Sequence, residues 1–218
     1  MKNLLFPTLL LLTGVLHLYS CLKEKENLRM ISKPFLMPLL GVCWMLLSKQ
    51  PSYLVLLGIL LGGLGDIALL WPLKRKPFLC GLLFFLFGHI CYLFYIFTSS
   101  RITTGIMWPV LTALVYLAGS LVVYVKTRKE IPPVLRIPSF MYMLALSALS
   151  ACTLLVLISS PSPGKAVAFA GATLFLMSDG ILSQMLFIKK EETGKLNFIV
   201  MLTYIGAQVL LALGWAMG

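Results

Sequence analysis

Negative charge is scarce in this chain: seven Asp and Glu in 218 residues, two His, and charged side chains of either sign at only 11%. So few solvated groups, beside 60% apolar residues and a mean hydropathy of +0.97, exclude an ordinary water-soluble domain. The five cysteines, Cys21, Cys43, Cys80, Cys91 and Cys152, show no CxxC or metal-ligand spacing, so no disulfide framework, redox motif or zinc module is expected. They read mostly as small core residues. No polar stretch is long enough to form a soluble catalytic domain. Eighteen Lys and Arg give a net charge of +11, which in a soluble protein would suggest nucleic acid. Here the basic residues flank apolar runs, a pattern of membrane topology, and no nucleic-acid partner is expected.

A bilayer core of roughly 30 Å takes about 20 apolar residues per helical span. Eight such runs are legible: Leu4 to Leu22, Pro34 to Ser48, Ser52 to Trp71, Pro77 to Thr98, Ile106 to Val125, Ile137 to Ser159, Lys165 to Ile188 and Leu196 to Met217. The second is the shortest. The expected fold is all-α, a polytopic bundle of about eight helices forming a single transmembrane domain over residues 1–218. An offset of four spans between its two membrane acids hints at two duplicated halves. Lys23, Lys25, Arg29 and Lys33 follow the first span; Lys74, Arg75 and Lys76 the third; Lys126, Arg128, Lys129 and Arg136 the fifth; Lys189, Lys190 and Lys195 the seventh. These hold fourteen of the eighteen basic residues, and Lys2, Lys49, Arg101 and Lys165 fall singly on the other side. The positive-inside rule then places the basic loops in the cytosol and both termini outside. Met1-Lys2-Asn3 and an apolar run ending Leu18-Tyr19-Ser20-Cys21 resemble a signal peptide with a lipoprotein-type cleavage site. Four basic residues after that run against one before it oppose this reading, so the first span is expected to be retained.

Five of the acids, Glu24, Glu26, Glu130, Glu191 and Glu192, lie among the basic residues, where solvation explains them. The other two do not: Asp66 follows Gly62-Gly63-Leu64-Gly65 in the third span, and Asp179 follows Ser178 in the seventh. A carboxylate inside a span costs about 2.5 to 3.5 kcal/mol on insertion scales, so such a residue faces the bundle interior and marks a pathway or reaction site. Both spans run in the same direction, which puts both acids in the cytosolic half, able to face each other. Two carboxyls facing each other in low dielectric cannot both ionise easily, so the pair is expected to hold one proton and act as acid and base. Gly58, Gly62 and Gly65 recur on one face and read as a close helix approach. His89 and Tyr92 share a face of the fourth span, and Tyr204 and Gln208 share one in the last. His17, nearer an interface, reads as structural.

Further pieces accompany these residues: Lys33-Pro34 with Met37-Pro38-Leu39, Gly65-Asp66 with Leu69, and Gly81 with Phe85, His89 and Tyr92. After them come Tyr142, then Gly171-Ala172 with Leu174-Phe175 and Ser178-Asp179, and Tyr204 with Ala207-Gln208. In this order, on successive spans, they resemble the YhhN family of membrane proteins, whose animal members are lysoplasmalogenases. The pattern departs at Ser183, where Ala is expected. The resemblance implies hydrolysis of the vinyl-ether bond of a lysophospholipid, with Asp66 and Asp179 as the catalytic acid and base and neither metal nor cofactor. It further implies substrate-binding roles for Lys33, His89, Tyr92, Ser178, Tyr204 and Gln208, with Lys33 meeting the lipid phosphate. Short loops suit a bacterial inner membrane.

Two other readings use the same acids. Gly63-Leu64-Gly65-Asp66 matches the GxGD signature of intramembrane aspartyl proteases, but Ser178-Asp179 lacks their Tyr-Asp and the chain has no Pro-Ala-Leu. A proton-coupled transporter also suits paired acids in related halves, although no proline breaks either span near its acid.

Overall fold

The structure is a computed structural model that describes residues 4–70, 75–189 and 193–217. Lys2, Lys74, Lys190, Glu191, Glu192 and the expected end of the third span at Trp71 lie outside the described residues, as do the side chains of Arg75 and Lys189. Among the described residues eight α-helices follow one another: α1 (Leu5–Leu22), α2 (Glu26–Leu47), α3 (Tyr53–Ala68), α4 (Arg75–Ser99), α5 (Met107–Thr127), α6 (Pro133–Ser159), α7 (Pro163–Ser183) and α8 (Gly194–Ala216). A π-helical turn at Gln184–Lys189 extends α7. No strand occurs among the described residues. Seven of the helices are long and apolar enough to cross a bilayer, and the chain is a multi-pass integral membrane protein. The exception is α3, whose 16 residues rise about 24 Å.

The second helix departs from expectation. It begins at Glu26, ahead of Pro34, and runs on through Pro34 and Pro38 for 22 residues. Proline is ordinarily a first-turn residue, but inside a helical bundle neighbouring helices can satisfy the carbonyls it frees. Arg29 and Lys33 therefore stand on a helix rather than in a loop, and the link between α1 and α2 shrinks to Lys23, Glu24 and Lys25. Glu24 takes the left-handed conformation there, φ 54°, while Glu24 N–H bonds Cys21 O and Lys25 N–H bonds Ser20 O, a Schellman ending to α1. Its carboxylate is not merely solvated, because Oε1 accepts the Gly194 N–H at 2.7 Å at the start of α8.

Seven helices close a ring in which α1 packs on α2, α2 on α3, α3 on α4, α4 on α6, α6 on α7, α7 on α8 and α8 back on α1. Helix α5 stands outside it, packed chiefly on α6, and its Leu111, Leu114, Leu117, Leu121 and Val122 are exposed, as lipid-facing side chains are. Between the ring helices the glue is small or polar. Ser150 Oγ donates to Ala172 O, and Ser178 Oγ to Val200 O. A Cβ on Gly214 would stand 2.5 Å from Ala168 N, so α7 and α8 touch backbone to backbone, the approach that small residues allow in membranes. Of the cysteines, Cys21 and Cys43 are buried, Cys80 is exposed, and Cys91 and Cys152 lie between, so the expected core role holds for only part of the set.

Candidate active site

A cavity of about 400 Å³ opens inside the bundle, and every helix contributes to its wall, from His17 on α1 to Tyr204 on α8. Most of the wall is apolar, including Leu82, Phe85, Val115, Val123 and Leu146; Lys33, Asp66, Tyr142, Asp179 and Tyr204 gather on it. Two of its charged groups stand near helix ends: Lys33 is seven residues into α2, and Asp66 two from the end of α3.

The two acids share the cavity but have unlike surroundings. Asp66 is 2% exposed; its Oδ1 stands 3.5 Å from Lys33 Nζ, and its Oδ2 accepts the Tyr204 hydroxyl at 2.8 Å. Asp179 is partly buried and accepts the Tyr142 hydroxyl. No cation pairs with Asp179 among the described residues. The charge of Asp66 acts on both Asp179 and Tyr142, so the acids are electrostatic neighbours although each has its own phenol. Phe85 packs on both phenols, its ring centroid 5.8 Å from that of Tyr204 and 6.4 Å from that of Tyr142. Gly65 makes room for that ring, since a Cβ there would meet it at 2.7 Å. Gly58 does the same for Tyr92 at 2.2 Å. The glycine face of α3 thus seats aromatic side chains of α4 beside Asp66.

Tyr92, Gln208 and Tyr204 form a hydrogen-bonded string behind Asp66. Tyr92 donates to Gln208 Oε1 at 3.2 Å, the Gln208 amide bonds the Tyr204 hydroxyl, and Tyr204 donates to the acid. Such chains polarise and orient one another. Of the three, only Tyr204 reaches the cavity wall; Tyr92, Gln208 and His89 are buried behind it. His89 gives its Nδ1–H to Phe85 O at 2.6 Å, its ring packs on Phe175 and Tyr142, and Nε2 is without a partner among the described residues. Ser178 does line the cavity, but its hydroxyl is engaged by Val200 O across the α7 and α8 contact. Lys33, expected at the headgroup level, is 8% exposed and turned to Asp66.

Sequence reasoning gave no role to Tyr142, and it set His17 aside as structural. His17 is fully buried on the cavity wall. Its hydrogen bonds form a consistent set: Cys21 Sγ at 3.6 Å from Nε2, Nδ1 at 2.9 Å from Ser32 Oγ, and Ser32 donating to Leu28 O at 2.7 Å. That assigns the proton to Nδ1. The signal for Tyr142 was its place in the family pattern and Ser139 three residues before it on the same face of α6, which also lines the cavity.

The model of the YhhN family matches residues 28–215. The chain belongs to the YhhN family. The family is lysoplasmalogenase-like, which makes this YhhN member a hydrolase-like membrane protein. No curated protein and no solved structure matches it. The YhhN match takes in every helix that carries a polar group of the site except α1.

Proposed function

We propose that the protein hydrolyses the vinyl-ether bond of lysoplasmalogens, releasing a fatty aldehyde and glycerophosphoethanolamine or glycerophosphocholine. The observation that carries this reading is one apolar cavity holding two carboxyls in unlike electrostatic settings. Asp66, paired with the Lys33 ammonium, is the ionised member. Asp179 has only a phenol beside it and the negative charge of Asp66 nearby, so it is the member that carries a proton.

The chemistry needs one of each. Asp179 protonates the alkenyl carbon beta to the ether oxygen, converting R–CH=CH–O–R′ into the oxocarbenium ion R–CH2–CH=O⁺–R′. The Asp66 carboxylate faces the cation as it forms and takes a proton from the water that attacks it, as a carboxylate does beside the related cation of glycoside hydrolysis. The resulting hemiacetal gives its hydroxyl proton to Asp179 while Asp66 returns a proton to the departing alkoxide oxygen. Aldehyde and alcohol leave, and both acids are back where they began. Tyr204 and Tyr142 hold the two carboxyls in place, and the string through Gln208 to Tyr92 fixes Tyr204. Lys33 acts on Asp66 rather than on a phosphate.

The apolar wall suits the alkenyl chain. We place the protein in a bacterial inner membrane, with the basic helix ends in the cytosol and both termini outside. Purified protein in detergent, given a lysoplasmalogen, is expected to release a fatty aldehyde and to leave the matched ester lysophospholipid uncut. An ester needs attack at an acyl carbonyl, for which protonation at carbon does nothing. Failure of folded protein to form aldehyde from any of a panel of vinyl-ether lysolipids would refute the hydrolase reading and favour the transporter.

A further inference from the structure

A second, polar chamber of about 130 Å³ adjoins the cavity at the link between α1 and α2, beside the first turn of α8. Its wall includes Glu24, Lys25, Glu26, Arg29 and Asn197, and it shares Cys21, Arg29 and Asn197 with the large cavity. The two therefore lie side by side against Cys21, Arg29 and Asn197, the first apolar with the acids and the second charged.

Some of the chamber's polar groups are already engaged. Glu24 holds the Gly194 N–H, and Lys25 lies 5.2 Å over the Tyr19 ring. The side chains of Glu26, Arg29 and Asn197 have no hydrogen bond or ion pair among the described residues. Two are donors suited to phosphate oxygens, Arg29 through its fork of N–H groups, and the third is an anion on the same wall. Arg29 is one helical turn before Lys33 on the same face of α2, about 6 Å along the axis. A lipid whose reacting ether oxygen lies at the acids would thus present a group three carbons away at Arg29.

We propose that this chamber binds a zwitterionic phosphodiester headgroup, with Arg29 and Asn197 on the phosphate and Glu26 on the terminal ammonium. The assignment rests on the proposed function for the direction in which the lipid lies. It names a group of the ligand that the carboxyl chemistry leaves open. It also moves the phosphate contact from Lys33, which Asp66 occupies, to Arg29. The compartment order then matches the lipid from end to end: chain in the apolar wall, ether at the acids, phosphate and ammonium in the charged chamber.

The test is binding rather than turnover, so that a failed hydrolase reading leaves it intact. Three saturated 1-O-alkyl ligands, which have no vinyl carbon to protonate, are titrated against the purified full chain in detergent: the alkylglycerol, its 3-phosphate and its 3-phosphoethanolamine. The phosphoethanolamine is expected to bind tightest. Arg29→Gln should weaken both phosphate-bearing ligands about tenfold or more, the scale of one charged hydrogen bond, and leave the alkylglycerol unchanged. Arg29→Lys should keep part of the affinity, and Glu26→Gln should remove only the preference for phosphoethanolamine over phosphate. If Arg29→Gln does not fold, Asn197→Asp carries the same expectation, since a carboxylate there repels the phosphate. Equal loss across all three ligands, or no loss for any, overturns the proposal. So does inorganic phosphate displacing the phosphoethanolamine lipid at concentrations that match the lipid's own, because the chamber would then be a free-anion site.

Discussion

Lys33 and Asp66 form a buried ion pair, Nζ to Oδ1 at 3.5 Å, with 10% and 3% of their side chains exposed. Breaking such a pair by removing one partner leaves a buried charge alone and typically costs about 3–5 kcal/mol, whereas removing both is far milder. Lys33→Met should therefore lower the thermal unfolding midpoint in detergent, and Lys33→Met combined with Asp66→Asn should recover much of it. A double variant no more stable than Lys33→Met would show that the two charges do not interact. Lys33→Arg should keep the pair and a larger part of the turnover than Lys33→Met.

The acids themselves give a separate prediction. Each is one partner of a proton transfer, and general acid or base groups contribute about 100-fold or more to rate. Asp66→Asn and Asp179→Asn should each lower aldehyde release by at least that factor, with insertion and elution volume unchanged. Their combination should cost little beyond either alone, because a reaction that needs both groups is already stopped by losing one. A variant with near-normal turnover would remove that residue from the mechanism.

How far the sequence could be read depended on how many physical demands each residue answered. Asp66 and Asp179 stood out because nothing else explains an acid within a span, and Tyr204 with Gln208 stood out because a four-residue spacing puts both on one face. The pairing of Lys33 with Asp66 was hidden for the opposite reason: a lysine near a basic helix end already satisfies the positive-inside rule, so a place beside the acid leaves no further mark. Proline misled at Pro34, where the general preference for a first-turn position hid the turns from Glu26 onward. Tyr142 joins Asp179 across 37 positions of sequence, and no local pattern encodes so distant a partner.

Backbone contact between α7 and α8 predicts a stability effect remote from the chemistry. A methyl group at position 214 would stand 2.5 Å from Ala168 N and 2.7 Å from its Cα, and backbone cannot swing aside as a flexible side chain can. Gly214→Ala should destabilise by about 1–3 kcal/mol, the usual range for overpacking, as a lower unfolding midpoint in detergent. The same change at Gly119, inside α5 with nothing within 4 Å of its missing Cβ, should leave the midpoint unchanged or raise it slightly, since alanine is the better helix former. Equal midpoints for the two variants would mean that α7 and α8 are not packed backbone to backbone.

Fourteen of the eighteen basic residues fall at alternate links of the chain or in the helix ends beside them, and eight helices return the C-terminus to the side of the N-terminus if each crosses the membrane. Reporter fusions should place both termini outside and the segment from Arg128 to Pro132 in the cytosol. The informative position is the link after α3, the shortest helix: a fusion there should also report cytosolic. An outside signal at that link, or a cytosolic C-terminus, would mean that α3 does not cross.

Protonation at carbon sets the last prediction. Transfer of a proton from a carboxylic acid to an alkenyl carbon breaks an O–H bond in the step expected to limit the rate, and the acidic hydrogen exchanges with solvent. Turnover in heavy water should accordingly be slower than in ordinary water, and the aldehyde formed there should carry one deuterium on the carbon next to its carbonyl, delivered from the Asp179 carboxyl. Mass spectrometry of the trapped aldehyde reads that label directly. Attack at an acyl carbonyl of an ester would put no deuterium on carbon, and a peptide-bond cleavage would release no aldehyde to trap. Aldehyde without the label would show that the carbon is not protonated from a solvent-exchangeable acid, and the role assigned to Asp179 would fall with it.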